Sequence, residues 1–161
     1  LALATGVGLA LTSSASLIAM GQVTSHGYAP NDPPPEAEAL QSLVARLHAL
    51  GIHHVYSTDP MFQWVLMFAS EEGTRARWIT ADDRVPEYPR AVDDALRSGQ
   101  PVAIVGPAIH RGALLAAATN THFPESRIES FGPHYVLWPE PSAVELRALG
   151  FEIAPKSSQP R

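Results

Sequence analysis

The chain has 161 residues, 45% of them hydrophobic and 17% charged, which is enough for one domain with its own core and further segments beside it. A formal net charge of −5 argues against a nucleic-acid-binding module, which needs a basic face. With 0 cysteines the chain has no disulfide framework, no zinc ribbon and no thiol nucleophile.

Charge is distributed unevenly. Residues 1–25 carry no formal charge, and their interior is rich in Gly, Ala, Ser and Thr. A run of that length exceeds the roughly 20 residues that cross a bilayer core, and small residues let membrane helices pack closely. Residues 1–24 therefore read as a transmembrane helix, the last of a polytopic protein. A truncated signal peptide is the competing reading, but the basic start that a signal peptide shows is missing. The chain opens at Leu1 rather than Met, as expected of a piece of a longer polypeptide. No Lys or Arg occurs from Gln22 to Gln41. Cytoplasmic flanks are usually rich in those residues, so the following domain is expected on the extracytoplasmic side of the cell membrane. Residues 25–35, which include Pro33, Pro34 and Pro35, read as a stiff linker. Residues 36–155 are expected to form a soluble α/β domain, and 156–161 a polar tail.

The domain alternates helix and strand. Leu40, Leu43, Val44, Leu47 and Leu50 fall at helical spacing, with Glu36 and Glu38 at the positive end and Gly51 to stop the helix. IHHVYST is a first strand. Pro60 opens a helix through Phe62, Val65, Leu66 and Phe68 toward Gly73. Residues 76–81 form a second strand, and Tyr88 to Ser98 a third helix. PVAIVG, residues 101–106, is a continuous apolar run, as in a strand buried on both faces. Arg111 to Asn120 predicts another helix. RIESF and HYVLW flank Gly132-Pro133 as late strands or a hairpin. Ser142 to Leu149 is helical in spacing, and FEIA closes the domain. This order predicts a three-layer Rossmann-like sandwich with a mainly parallel sheet. The alternative is an α+β fold whose late strands form a separate antiparallel piece.

Motifs for chemistry are sparse. Ser57-Thr58-Asp59-Pro60 stands where a dinucleotide fingerprint would place glycines, and no phosphate loop is present, so no cofactor is predicted. His53 and His54 are adjacent on a strand and point to opposite faces, His110, His122 and His134 are scattered, and no metal site is predicted. A nucleophile elbow is lacking as well, and no catalytic residue is assigned. Ligands of open α/β sheets sit beyond the carboxyl ends of the strands. That edge would gather Tyr56, Asp59, Asp82, Arg84 and His110 as a weak site for a sugar or phosphate head group. The competing role for Asp59 and Asp82 is to cap helices or shape turns. Phe62 and Trp64, two apart on a helix, cannot both face inward.

Three blocks of residues also carry a family resemblance. Tyr56-Ser57-Thr58-Asp59 ends a strand, Phe68-Ala69-Ser70-Glu71-Glu72 ends an apolar helix, and Arg84-Val85-Pro86-Glu87-Tyr88 follows the next strand. With the apolar segment ahead of them, they resemble the C-terminal extracytoplasmic region of bacterial polytopic glycosyltransferases. These are relatives of the dolichyl-phosphate-mannose–protein mannosyltransferases and of the lipid A aminoarabinose transferases. The likeness spans residues 40–106, and it departs where Pro60-Met61 replaces an expected Tyr-Trp. It implies a parent that transfers a sugar from a polyprenyl-phosphate donor, with its catalytic carboxylate in an early loop outside this chain. The chain would then be a non-catalytic accessory domain whose partners are the remaining transmembrane part and membrane lipid. The alternative is a free-standing small-ligand-binding domain, secreted or anchored to the membrane.

Overall fold

The computed structural model describes residues 35–80 and 83–153. The expected transmembrane helix, the tail and Asp82 lie outside the described residues, as does all of the linker but Pro35. Among the described residues no helix is long and apolar enough to cross a membrane.

The chain forms a mixed α/β fold around a five-stranded sheet. In chain order the elements are α1 (Pro35–Ala49), β1 (His54–Ser57), α2 (Phe62–Ala69), β2 (Arg75–Arg77), α3 (Glu87–Arg97) and β3 (Val102–Pro107). A 3₁₀ turn at Ala108–His110 then leads into α4 (Arg111–Thr121), and a second at Glu125–Arg127 into β4 (Glu129–Phe131), β5 (Tyr135–Pro139) and α5 (Ala143–Ala148). Pro35 belongs to α1 rather than to the linker, because the first helical position needs no backbone N–H.

The strand order is β2-β1-β3-β5-β4. β1 pairs in parallel with β2 and with β3, as the helical crossovers α2 and α3 require. β5 then pairs antiparallel with both β3 and β4. The expectation of a mainly parallel sheet is thus met in one half only, and the reason is local. Gly132, at φ +57°, turns the chain tightly after β4, and a tight turn joins antiparallel neighbours. β4 runs in the same direction as β3, and β5 folds back into the gap between them. The two sequences suit these places. YVLWP is buried throughout and occupies an interior position, whereas ESF is polar and forms the edge. FEIA is not a strand over its described part. Phe151 packs edge-on against Tyr56, and Glu152 N–H donates to the Ile79 carbonyl.

An apolar core lies on each face of the sheet. On one face Leu43 and Leu47 of α1 and Phe62, Leu66 and Met67 of α2 pack on Val55, Ala103, Val105 and Leu137. On the other, Val92 and Ala95 of α3, Leu114 and Ala118 of α4 and Leu146 of α5 pack on Tyr56, Ile104, Val136 and Trp138. Phe62 is buried and Trp64 half-buried, as their spacing demands, while Phe68 is the exposed ring of α2. Ser142 caps α5 through a reciprocal pair with Glu145, a combination readable as S-x-x-E.

The same register creates one buried polar network. Tyr56 sits opposite Arg77 on β2 and Ile104 on β3, so all three face α3. Asp93 of α3 closes over them. It binds Arg77 Nη1 through both carboxylate oxygens at 2.8 Å and accepts from the Tyr56 hydroxyl at 3.0 Å. Arg77 also donates from Nε to the Trp78 carbonyl and from Nη2 to the Ile79 carbonyl, both at 3.0 Å. A guanidinium suits this place because its planar fork satisfies a carboxylate and two carbonyls at once.

Candidate functional site

The crossover direction reverses between β1 and β3. The chain leaves β1 over one face through α2 and reaches β3 over the other through α3, which makes the carboxyl ends of these strands the edge where open α/β sheets hold ligands. Two groups of side chains occupy this edge.

The first lies between β1 and β3. Thr58 continues the pairing of β1 through its N–H to the Val105 carbonyl, and its Oγ1 lies 2.8 Å from Nδ1 of His110. Gly106 passes directly behind that hydroxyl, where a built Cβ would lie 1.8 Å from Thr58 Oγ1. A hydroxyl beside an imidazole can in principle lose its proton to it. Here the hydroxyl is pressed against the β3 backbone, so the pair acts as a clasp joining the β1–α2 turn to the β3–α4 connection. Glu36, at the start of α1, reaches the same edge and accepts from the Tyr135 hydroxyl at 3.1 Å, beside the end of β3.

The second group surrounds a cleft of about 380 Å³ between the start of α2 and the segment after β2. Its lining includes Gln63, Trp64, Trp78, Asp83 and Arg84. Trp64 is held edge-on against Tyr88, and the Trp78 backbone is held by Arg77. Asp83 accepts from Val85 N–H at 3.1 Å and from Gln63 Nε2 at a long 3.5 Å. Gln63 is 5% exposed, and its amide oxygen has no partner among the described residues. The amide orientation follows from Asp83, because only the NH₂ can donate to a carboxylate. A buried polar atom left unpaired costs about 1–3 kcal/mol, so this one calls for an explanation.

The predicted site residues are therefore divided. His110 meets Thr58. Arg84 is exposed at the rim of the cleft. Asp59 is drawn into capping α2, where its Oδ1 accepts from Met61 N–H at 2.9 Å and Phe62 N–H at 2.7 Å. Tyr56 is fully buried beneath the edge and bonded to Asp93 rather than open to a ligand. Sequence reasoning missed Gln63, Trp64 and Trp78. The available signal was Gln63 itself, the one polar side chain in FQWVLMFA.

A wider depression of about 620 Å³ lies at the opposite edge, lined by His54, Asp94, Arg97 and Ser98 among others. Its charges are already engaged with one another, Arg97 with Asp94 at 2.5 Å. Burial, and then the charges of Arg75 and His53, lower the pKa of His54 there. Among the described residues no group of three or more His, Asp or Glu side chains is placed to hold a metal ion.

Burial raises the pKa of Tyr135 to about 12, and the bond to Glu36 and its charge add to the rise. Burial also raises that of Tyr56, followed by the charge of Asp93 and the bond to it. A phenol that ionises near pH 10 when unfolded and later when folded stabilises the fold fully below about pH 10. That contribution is lost as pH rises through the folded value. The melting temperature is expected to fall between about pH 10 and 12, less steeply in Tyr135→Phe. Phenolate absorbance followed alongside the melts checks this, and release of both phenols at pH 10 would refute it.

No protein-family model, curated protein or solved structure matches this chain.

Proposed function

We propose that the chain is the C-terminal extracytoplasmic accessory domain of a membrane glycosyltransferase that uses a polyprenyl-phosphate sugar donor. In this reading the domain is a Rossmann-like sandwich, non-catalytic by itself, and joined to the transmembrane part of the same polypeptide. It supports the enzyme by holding part of a donor or acceptor at the carboxyl edge of its sheet. The observation that carries the reading is the position of the cleft. The block that ends β1 leads into one wall, through Pro60 and Met61, and Arg84, the first residue of the third block, joins Trp78 and Asp83 in the other. One of the three blocks behind the resemblance thus reaches a polar, tryptophan-lined cleft through Arg84, and a second ends at Asp59, one residue before its other wall.

The test is made in the whole parent enzyme. Arg84→Ala is expected to raise KM several-fold with kcat kept, the signature of binding shared by ground and transition states. Asp59→Ala should leave both parameters nearly unchanged and lower stability by about 1 kcal/mol, as loss of a helix cap does. A fall in kcat of several orders of magnitude with the fold intact would place chemistry in this domain. An unchanged KM in Arg84→Ala would remove the supporting role.

A further inference from the structure

We infer that the cleft between α2 and the segment after β2 is a binding site for a single pyranose ring, with Gln63 as its buried recognition group. This deepens the accessory reading above and rests on the same cleft. Four properties of the cleft select a sugar. Its volume, about 380 Å³, lies at the small end of the range for ligand pockets, about 300–1,000 Å³, and so suits one ring rather than a nucleotide. Two indoles, Trp64 and Trp78, line it and are half-buried. The faces of indoles are electron-rich and attract the polarised C–H groups on the flat side of a pyranose. Asp83 and Arg84 supply an acceptor and a set of donors at the rim, the mixture that ring hydroxyls require.

Gln63 provides the fourth. Among the described residues its amide oxygen is buried and unpaired, and its Nε2 is held only by the long contact to Asp83. The terminal torsion of a glutamine is soft, so the amide turns at little cost. Rotation presents the oxygen to a ligand hydroxyl and gives it the donor it lacks. A glutamine kept only for packing would be replaced without loss by leucine, the residue type that its apolar neighbours favour. A ligand that donates to the amide oxygen satisfies it.

The experiment uses the full chain in a zwitterionic detergent, which has no sugar head group to compete. Methyl glucoside, methyl mannoside, methyl galactoside and inorganic phosphate are titrated separately. Tryptophan emission and saturation-transfer NMR report binding, and Trp138, buried in the core, serves as the internal silent indole. At least one glycoside is expected to saturate with a Kd in the millimolar range and to change the emission. Gln63→Leu should weaken that glycoside at least about tenfold while the melting temperature holds or rises, because the unpaired oxygen is gone. Trp78→Leu should weaken it similarly and gives a second reading should Gln63→Leu misfold. No saturable response to any glycoside, a response to phosphate alone, or equal binding by the folded variants overturns the inference. Sugar binding together with an unresponsive KM in Arg84→Ala would uphold the sugar site and remove the accessory role. A responsive KM without sugar binding would do the reverse.

Discussion

Replacing Asp93 by alanine is expected to destabilise the protein by about 3–5 kcal/mol, since it leaves the Arg77 guanidinium buried without its carboxylate. Arg77 and Asp93 are both fully buried, and the two 2.8 Å bonds between them have no water to replace them. For a domain of this size each kcal/mol moves the melting temperature by roughly 3–5 °C, so a fall of more than about 10 °C should be seen by circular dichroism. The paired replacement Arg77→Met with Asp93→Leu should recover only part of the loss, because it removes the buried charges but takes their partners from the Tyr56 hydroxyl and the Trp78 and Ile79 carbonyls. Tyr56→Phe removes only one hydrogen bond to the carboxylate and should cost about 1 kcal/mol. Equal melting temperatures for Asp93→Ala and the native chain would show that the network contributes nothing. The consequence extends to the cleft. Arg77 also holds the carbonyls of Trp78 and Ile79, so the wall that carries the Trp78 indole loosens when the guanidinium loses its anchor.

Gly106→Ala should produce the second large effect, about 2–3 kcal/mol, at the upper end of what overpacking does. The new methyl would lie 1.8 Å from Thr58 Oγ1 and 3.1 Å from Thr58 Cβ. The hydroxyl cannot withdraw without breaking its 2.8 Å contact with His110, and the β3 backbone is held on both sides by β1 and β5. Thr58→Ala removes the closest atom of the clash but not Cβ. The double variant Gly106→Ala/Thr58→Ala should therefore be less destabilised than the sum of the single changes, though still below the native chain. Urea unfolding of the three variants measures this coupling. Strict additivity would mean that the methyl collides with something other than Thr58.

The order of elements could be read from the chain because each depends on neighbours in sequence. The spacing of Leu40 to Leu50 makes α1, Gly51 ends it, and the unbroken PVAIVG run marks β3 as an interior strand. The parallel half of the sheet followed from the helices between its strands, which leave no other short connection. The spacing from Ser142 to Leu149 announced α5, and Gly132-Pro133 separated two segments readable as late strands or a hairpin. Of the residues expected at the strand ends, Arg84 lies at the rim of the cleft and His110 meets Thr58, a partner the expected set did not include. What the tertiary structure alone decided was pairing across distance. HYVLW could have joined either side of its hairpin partner, and its insertion beside β3 depends on which groove the core leaves open. Asp59 turned inward to its own helix because two unpaired N–H groups lie within reach there. Tyr56 was claimed by Asp93 and Arg77, which are separated from it in sequence and brought together only by strand register and the packing of α3. Gln63 stood out in sequence as the one polar side chain of α2, but only folding enclosed its amide and left the oxygen without a donor among the described residues.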